Sequence, residues 1–273
     1  MSDVWTRREQ FDLDEQGQPR AVAGVPPDYF SETGQRWGNP LFDWEHMRED
    51  GFSWWRDRLQ SAFDIYDLVR IDHFRGFDAY WSIPAECDTA IDGEWVKAPG
   101  AEMFEAMVKA FDTLPVVAED LGVITEDVTA LRQQFGLPGM RVLQFAFDGS
   151  AENPYVPHKH EVDDVVYTGT HDNDTTVSWF DSLSEAERHR VLDYLGHPTE
   201  AMPWPLIRSA LASVACIAIA PMQDYLELGE GQRMNTPGTT HGNWQWRFEW
   251  DQVPGNLVKR LRHLVQLYGR LPE

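Results

Sequence analysis

Three short segments of the chain put carboxylates where apolar runs end. The first reads Leu68-Val69-Arg70-Ile71-Asp72-His73-Phe74-Arg75-Gly76, with an arginine and an aspartate two residues apart at the exit of a β-rich run. A period of two puts both on one side. An arginine so placed favours the ionised carboxylate that a nucleophile needs, although a structural ion pair would use the same residues. The second segment, Val117-Ala118-Glu119-Asp120-Leu121-Gly122, sets Glu119 directly after an apolar run. Partial burial there would raise a carboxyl towards the range of a general acid, and a capped turn is the alternative. In the third, Tyr167-Thr168-Gly169-Thr170-His171-Asp172-Asn173-Asp174-Thr175-Thr176, the acids follow another apolar run, where a polar turn is the competing explanation. Taken together, the three suit glycosidic chemistry. One carboxylate attacks an anomeric carbon and one acid protonates the leaving oxygen, the two roughly 5–5.5 Å apart in a retaining enzyme. A third acid can hold sugar hydroxyls in the transition state.

The elements that must position these groups read as strands alternating with helices. Near-continuous apolar runs begin near Leu68, Pro115, Val142, Val165 and Cys216, the third spanning 142–147. Such runs suggest strands covered on both faces, as in a parallel sheet. Helical spacing appears over 44–63, 102–111 and 126–135, the last closed by Gly136. Ser184 and Glu187 form a capping box for a helix that stops at Gly196, and Asn256 is the expected cap of an amphipathic helix over 257–268. Residues 1–40 are rich in turn formers and show no sustained period, which predicts a long loop. This is an α/β chain with no clear linker.

Composition narrows the partners. The 23 lysines and arginines against 45 aspartates and glutamates give a net charge of −22, which repels phosphate backbones and anionic lipids. Nucleic acid and membrane are therefore excluded as expected partners, whereas a neutral sugar meets no such repulsion. Cys87 and Cys216 read as unpaired thiols, and residues 1–8 do not resemble a signal peptide, so a cytoplasmic location is expected. Asp172-Asn173-Asp174 lacks the glycine and terminal glutamate of a calcium loop, with Val177 and Leu183 in their places, and His158 and His160 sit in a polar loop. No metal and no organic cofactor is expected.

Five blocks in order resemble the 4-alpha-glucanotransferases, the amylomaltases or disproportionating enzymes related to the α-amylase superfamily. Three are Arg70 to Gly76, Ala118 to Gly122 and Gly169 to Asp174. The others are the segment 23–40, with Tyr29, Phe30 and Trp37, and Arg233-Met234-Asn235-Thr236-Pro237-Gly238-Thr239 followed by Asn243-Trp244-Gln245-Trp246-Arg247. The resemblance implies retaining transfer of an α-1,4-glucan segment to the 4-hydroxyl of an acceptor glucose or glucan. It assigns Asp72 as nucleophile, Glu119 as general acid and base, and Asp172 as transition-state stabiliser. Arg70 would orient Asp72 and His171 would bind the same sugar. The segment 23–40 would be a cleft-side loop whose aromatics stack on sugar and exclude water. Trp244 and Trp246 read as structural.

A (β/α)₈ barrel needs roughly 250 residues, so 273 residues would just hold one. The motif order implies something else. The five strands correspond to the fourth to eighth of the family's TIM barrel, so residues 1–273 would be the carboxyl-terminal part of that catalytic barrel, with the first three strands absent. An incomplete barrel exposes an apolar edge and invites association. Three readings stay open at this point: a glucanotransferase, an inactive truncated product or glucan-binding remnant that needs a complementing amino-terminal chain, and a hydrolase of the same superfamily.

Overall fold

The computed structural model describes residues 2–27 and 31–271. The chain is a mixed α/β structure of two compact units, Met1–Gly139 and Met140–Glu273. In the first unit the elements run α1 (Ser2–Thr6), β1 (Ala21–Val25), β2 (Gln35–Pro40), α2 (Trp44–Glu49), α3 (Ser53–Phe63), β3 (Val69–Ile71), β4 (Ala79–Pro84), β5 (Glu94–Lys97), α4 (Gly100–Phe111), β6 (Val116–Ala118) and α5 (Glu126–Gln134). Strands β3 and β6 pair in parallel with Val69 opposite Val116, Arg70 opposite Val117 and Ile71 opposite Ala118. All three residues of β6 are buried, which explains its unbroken apolar run. Helix α4 turns Met103, Phe104 and Met107 into the same core, where they meet Phe74, Val116, Ala118, Val128 and Leu137. That spacing is one helical face. The hydroxyl of Thr125 accepts from the Val128 N–H to start α5, and Gly136, at φ 61°, stands just beyond its end.

Two expectations for this unit are corrected. The segment 23–40 is not a loop throughout: its two ends fold as antiparallel strands in a four-stranded sheet ordered β2-β1-β4-β5. Its glycines hide the pattern because they permit close approach. A Cβ on Gly24 would lie 2.2 Å from the Gln35 carbonyl oxygen. The helix expected over 44–63 breaks at Gly51 and Phe52, both left-handed, and the Asp50 carboxylate accepts from the Ser53 N–H and hydroxyl to restart it.

The second unit begins within β7 (Gly139–Val142) and holds β8 (Asp164–Tyr167), α6 (Thr176–Ser182), α7 (Glu185–Tyr194), α8 (Trp204–Ala212), β9 (Ile217–Ile219), α9 (Met222–Tyr225) and α10 (Leu257–Leu267). The sheet order is β7-β8-β9, with β8 and β9 parallel and Tyr167 opposite Ile219. Leu143, Val166, Leu206 and Ala210 form one small core, and Trp204, Ile207, Leu257 and Leu264 bring α8 and α10 together in another. The Ser184–Glu187 capping box is present. Asn256 precedes α10 but its side chain makes no capping hydrogen bond. The strand expected over 142–147 ends at Val142, and Leu143–Phe145 is a 3-10 turn whose Gln144 amide donates to the Asp174 carbonyl. Among the described residues, no helix is long and apolar enough to cross a membrane.

Candidate active site

In the first unit, Arg70 and Asp72 do share a side: the guanidinium Nη2 lies 2.8 Å from the Asp72 carboxylate, while Ile71 between them is buried. Asp72 keeps 77% of its side chain exposed, so the ion pair orients it without enclosing it. The parallel ladder carries on past the strands. The Glu119 N–H donates to the Ile71 carbonyl at 2.9 Å and the Phe74 N–H donates to the Glu119 carbonyl at 3.0 Å. This sets Asp72 and Glu119 side by side as the first residues out of neighbouring strands.

The half-buried Glu119 carboxylate accepts two backbone N–H groups, from His73 at 2.6 Å and from Leu121 at 3.1 Å. Its pKa is nevertheless pushed up to about 7, first by burial and then by the nearby Asp72 charge, against the opposing pull of those donors and Arg70. Behind it, the buried Asp120 pairs with Arg132 at 3.2 Å, and Arg132 also donates to the Leu137 carbonyl. Gly139 completes this support, since a Cβ there would lie 2.6 Å from the Asp120 carboxylate.

His73 adopts a left-handed backbone, φ 50°, which turns its N–H towards Glu119. Burial, with help from Arg75, lowers its imidazole pKa to about 4, so it is neutral at ordinary pH. The Trp37 ring meets it edge-on at 4.7 Å. Trp37, Arg70, Asp72, His73 and Tyr80 line a cavity of about 630 Å³. Tyr29 and Phe30 lie outside the described residues.

In the second unit, His171 and Asp172 sit together on the loop after β8, their nearest side-chain atoms 3.3 Å apart. Three groups fix Asp172: the Asn235 amide donates to its carboxylate at 2.6 Å, Arg233 donates to its carbonyl at 2.7 Å, and the Thr170 hydroxyl accepts from its N–H at 3.3 Å. Asp174 is engaged otherwise, accepting from the Thr175 N–H and the Ser178 hydroxyl at the start of α6. Both ends of the loop are held by the fully buried Asp224, which accepts from the Thr168 hydroxyl at 2.6 Å and from the Thr176 hydroxyl and N–H at 2.7 and 2.9 Å. Burial raises the Asp224 pKa despite these three donors.

His73, Asn235, Arg233 and Asp224 have no role assigned from residue type and spacing alone. For Asp224 a signal existed, because it follows β9 just as the other acids follow their strands. His73 acts through its backbone, which residue type does not reveal. Among the described residues no cluster of three His, Cys, Asp or Glu side chains is placed to hold a metal ion.

Known proteins are similar to this chain over nearly its whole length. The family model described as 4-alpha-glucanotransferase matches residues 1–252. A 4-alpha-glucanotransferase from Thermus thermophilus is 51% identical over 282 residues, covering 99% of this chain and 56% of the relative. One from Synechocystis sp. is 53% identical over 273 residues, covering 98% and 54%. Among solved structures, an amylomaltase from Streptococcus agalactiae in complex with acarbose superposes with a TM-score of 0.95 at 39% identity, covering 99% of this chain and 55% of that one. The chain thus spans about half the length of the relatives it matches. The chain belongs to the 4-alpha-glucanotransferase family.

Proposed function

We propose that this chain carries the catalytic carboxylates of a retaining 4-alpha-glucanotransferase, which moves a segment of an α-1,4-glucan to the 4-hydroxyl of an acceptor glucose or glucan. The observation that carries the reading is the β3–β6 register, with Asp72 and Glu119 following the paired residues Ile71 and Ala118. Neighbouring strands lie about 4.7–4.9 Å apart. The two carboxyl groups of a retaining enzyme stand roughly 5–5.5 Å apart, and acids that leave adjacent strands side by side are placed to meet that requirement.

In this mechanism Asp72, oriented by Arg70, attacks the anomeric carbon while Glu119 gives its proton to the departing glycosidic oxygen. A glycosyl ester on Asp72 results. The acceptor 4-hydroxyl then attacks the same carbon, Glu119 takes its proton, and Asp72 is released. A carboxyl with a pKa of about 7 can do both jobs near neutrality. Asp172 is assigned to the hydroxyls of the sugar undergoing cleavage, with His171 binding the same unit. Trp37, and with it Tyr29 and Phe30, would line the glucan cleft in the segment 23–40 and help a sugar acceptor outcompete water.

We further read β3, β6, β7, β8 and β9 as the fourth to eighth strands of a (β/α)₈ barrel, so that residues 1–273 form its carboxyl-terminal part. A separate amino-terminal segment of the same family would be the complementing partner. Maltooligosaccharides are the proposed substrates, and acarbose, bound by the similar amylomaltase, is an expected ligand.

Incubation with maltotriose tests the proposal. Glucose together with longer oligosaccharides is expected, and Asp72→Ala should abolish both. Reducing sugar without elongation would instead make the chain a hydrolase. No product, even after adding the amino-terminal half of the Thermus thermophilus relative, would overturn catalysis altogether.

A further inference from the structure

Trp244 combines two properties that folding alone does not explain. Its backbone is left-handed, φ 61°, a conformation that a bulky residue adopts only under strain. Burial of the ring would be the usual compensation, yet 55% of the residue is exposed. The surroundings instead hold the ring at a defined place. The Trp244 N–H donates to the Met234 carbonyl at 2.7 Å, and Asn243 ties the intervening turn together by accepting from the Thr236 N–H and donating to the Thr239 carbonyl. The ring lies 5.1 Å from that of His171, tilted by 37°. Asn235, in the same segment, grips the Asp172 carboxylate and donates its N–H to the His171 carbonyl. One strained segment therefore fixes the candidate acid and holds a half-exposed indole beside His171.

We propose that Trp244 is a stacking platform for a glucose unit of an α-glucan, next to the unit that His171 and Asp172 hold. The inference rests on the glucanotransferase reading above. The polar edges of His171 and Asp172 suit sugar hydroxyls, and the indole suits the apolar C–H face of a pyranose. A neutral ligand fits a chain with a net charge of −22.

Calorimetric titration of the full chain with maltoheptaose tests this, using Trp244→Gly, Trp244→Phe and, as control, the more exposed Trp250→Ala. Glycine relieves the left-handed strain while removing the ring. Trp244→Gly is therefore expected to melt no lower than wild type, yet to bind about tenfold more weakly. Trp244→Phe and Trp250→Ala should bind within about threefold of wild type. A Trp244→Gly protein that binds like wild type, or one that melts well below it, overturns the platform while leaving the glucanotransferase reading intact. Failure of the wild type to bind maltoheptaose would overturn that reading as well.

Discussion

The backbone N–H of His73 donates to the Glu119 carboxylate at 2.6 Å, so the turn leaving one strand holds the acid leaving its neighbour. Asp72 precedes that turn directly. The proposed nucleophile and the proposed acid are thus tied through main chain.

Substituting Glu119→Gln gives a pH-dependent change in stability. The carboxyl titrates at about 7 when folded, against its ordinary 4.5. Between those values the native state still holds a proton that the unfolded chain has released, so wild-type stability falls as pH rises through this window and remains lower above it. Glutamine has no such proton to lose. Allowing for solvent around a half-buried group, the variant is expected to gain about 2 kcal/mol relative to wild type between pH 4.5 and pH 8. Urea melts at the two pH values check it, and an unchanged gap would refute the raised pKa. His73, shifted down to about 4, loses stability as pH falls from 6.5, equally in both proteins, and drops out of the difference.

Asp224 should matter more as an acceptor than as a charge. Asp224→Ala leaves buried donors on Thr168 and Thr176 unsatisfied, at a cost of about 3 kcal/mol, whereas Asp224→Asn retains one acceptor and costs about 1–2 kcal/mol. Urea midpoints rank the two. An alanine variant as stable as wild type would show that water replaces the carboxylate.

Asn235→Ala removes the amide from the Asp172 carboxylate. Turnover of maltotriose is expected to drop about tenfold to a hundredfold with little change in KM, because a charge-assisted hydrogen bond of about 1.5–3 kcal/mol is lost from the acid proposed to act in the transition state. Asn235→Asp sets a second carboxylate against the first and should be slower still. Steady-state kinetics decide, and a normal kcat in the alanine variant would separate Asn235 from the chemistry.

Much of this architecture is legible in residue order, for reasons visible at particular positions. Val116, Val117 and Ala118 are buried on both faces, and an unbroken apolar run records that directly. Ser184 and Glu187 form a local cap that involves no distant partner. Elsewhere the decisive contacts are long-range. Strands β1, β4 and β5 carry Gly24, Trp81 and Trp95 in registers set by one another, and no period announces their sheet. The expected strand over 142–147 stops because Gln144 turns to the Asp174 carbonyl, a partner 30 residues away. The acids themselves were recoverable because each follows a strand. What grips them was not, since a His73 backbone angle and an Asn235 amide have no signature in composition.

The clasp made by Asp224 has a further meaning. By binding Thr168 and Thr176 together it closes the segment between them into a small non-covalent ring, on which His171 and Asp172 ride. Ring closure is an entropic cost that depends on the length enclosed, and here folding has already met it. A ligand arriving at His171 and Asp172 has little chain left to order, so its binding free energy is available for recognition. For the proposed sugar site the segment would be a preorganised receptor, not a lid.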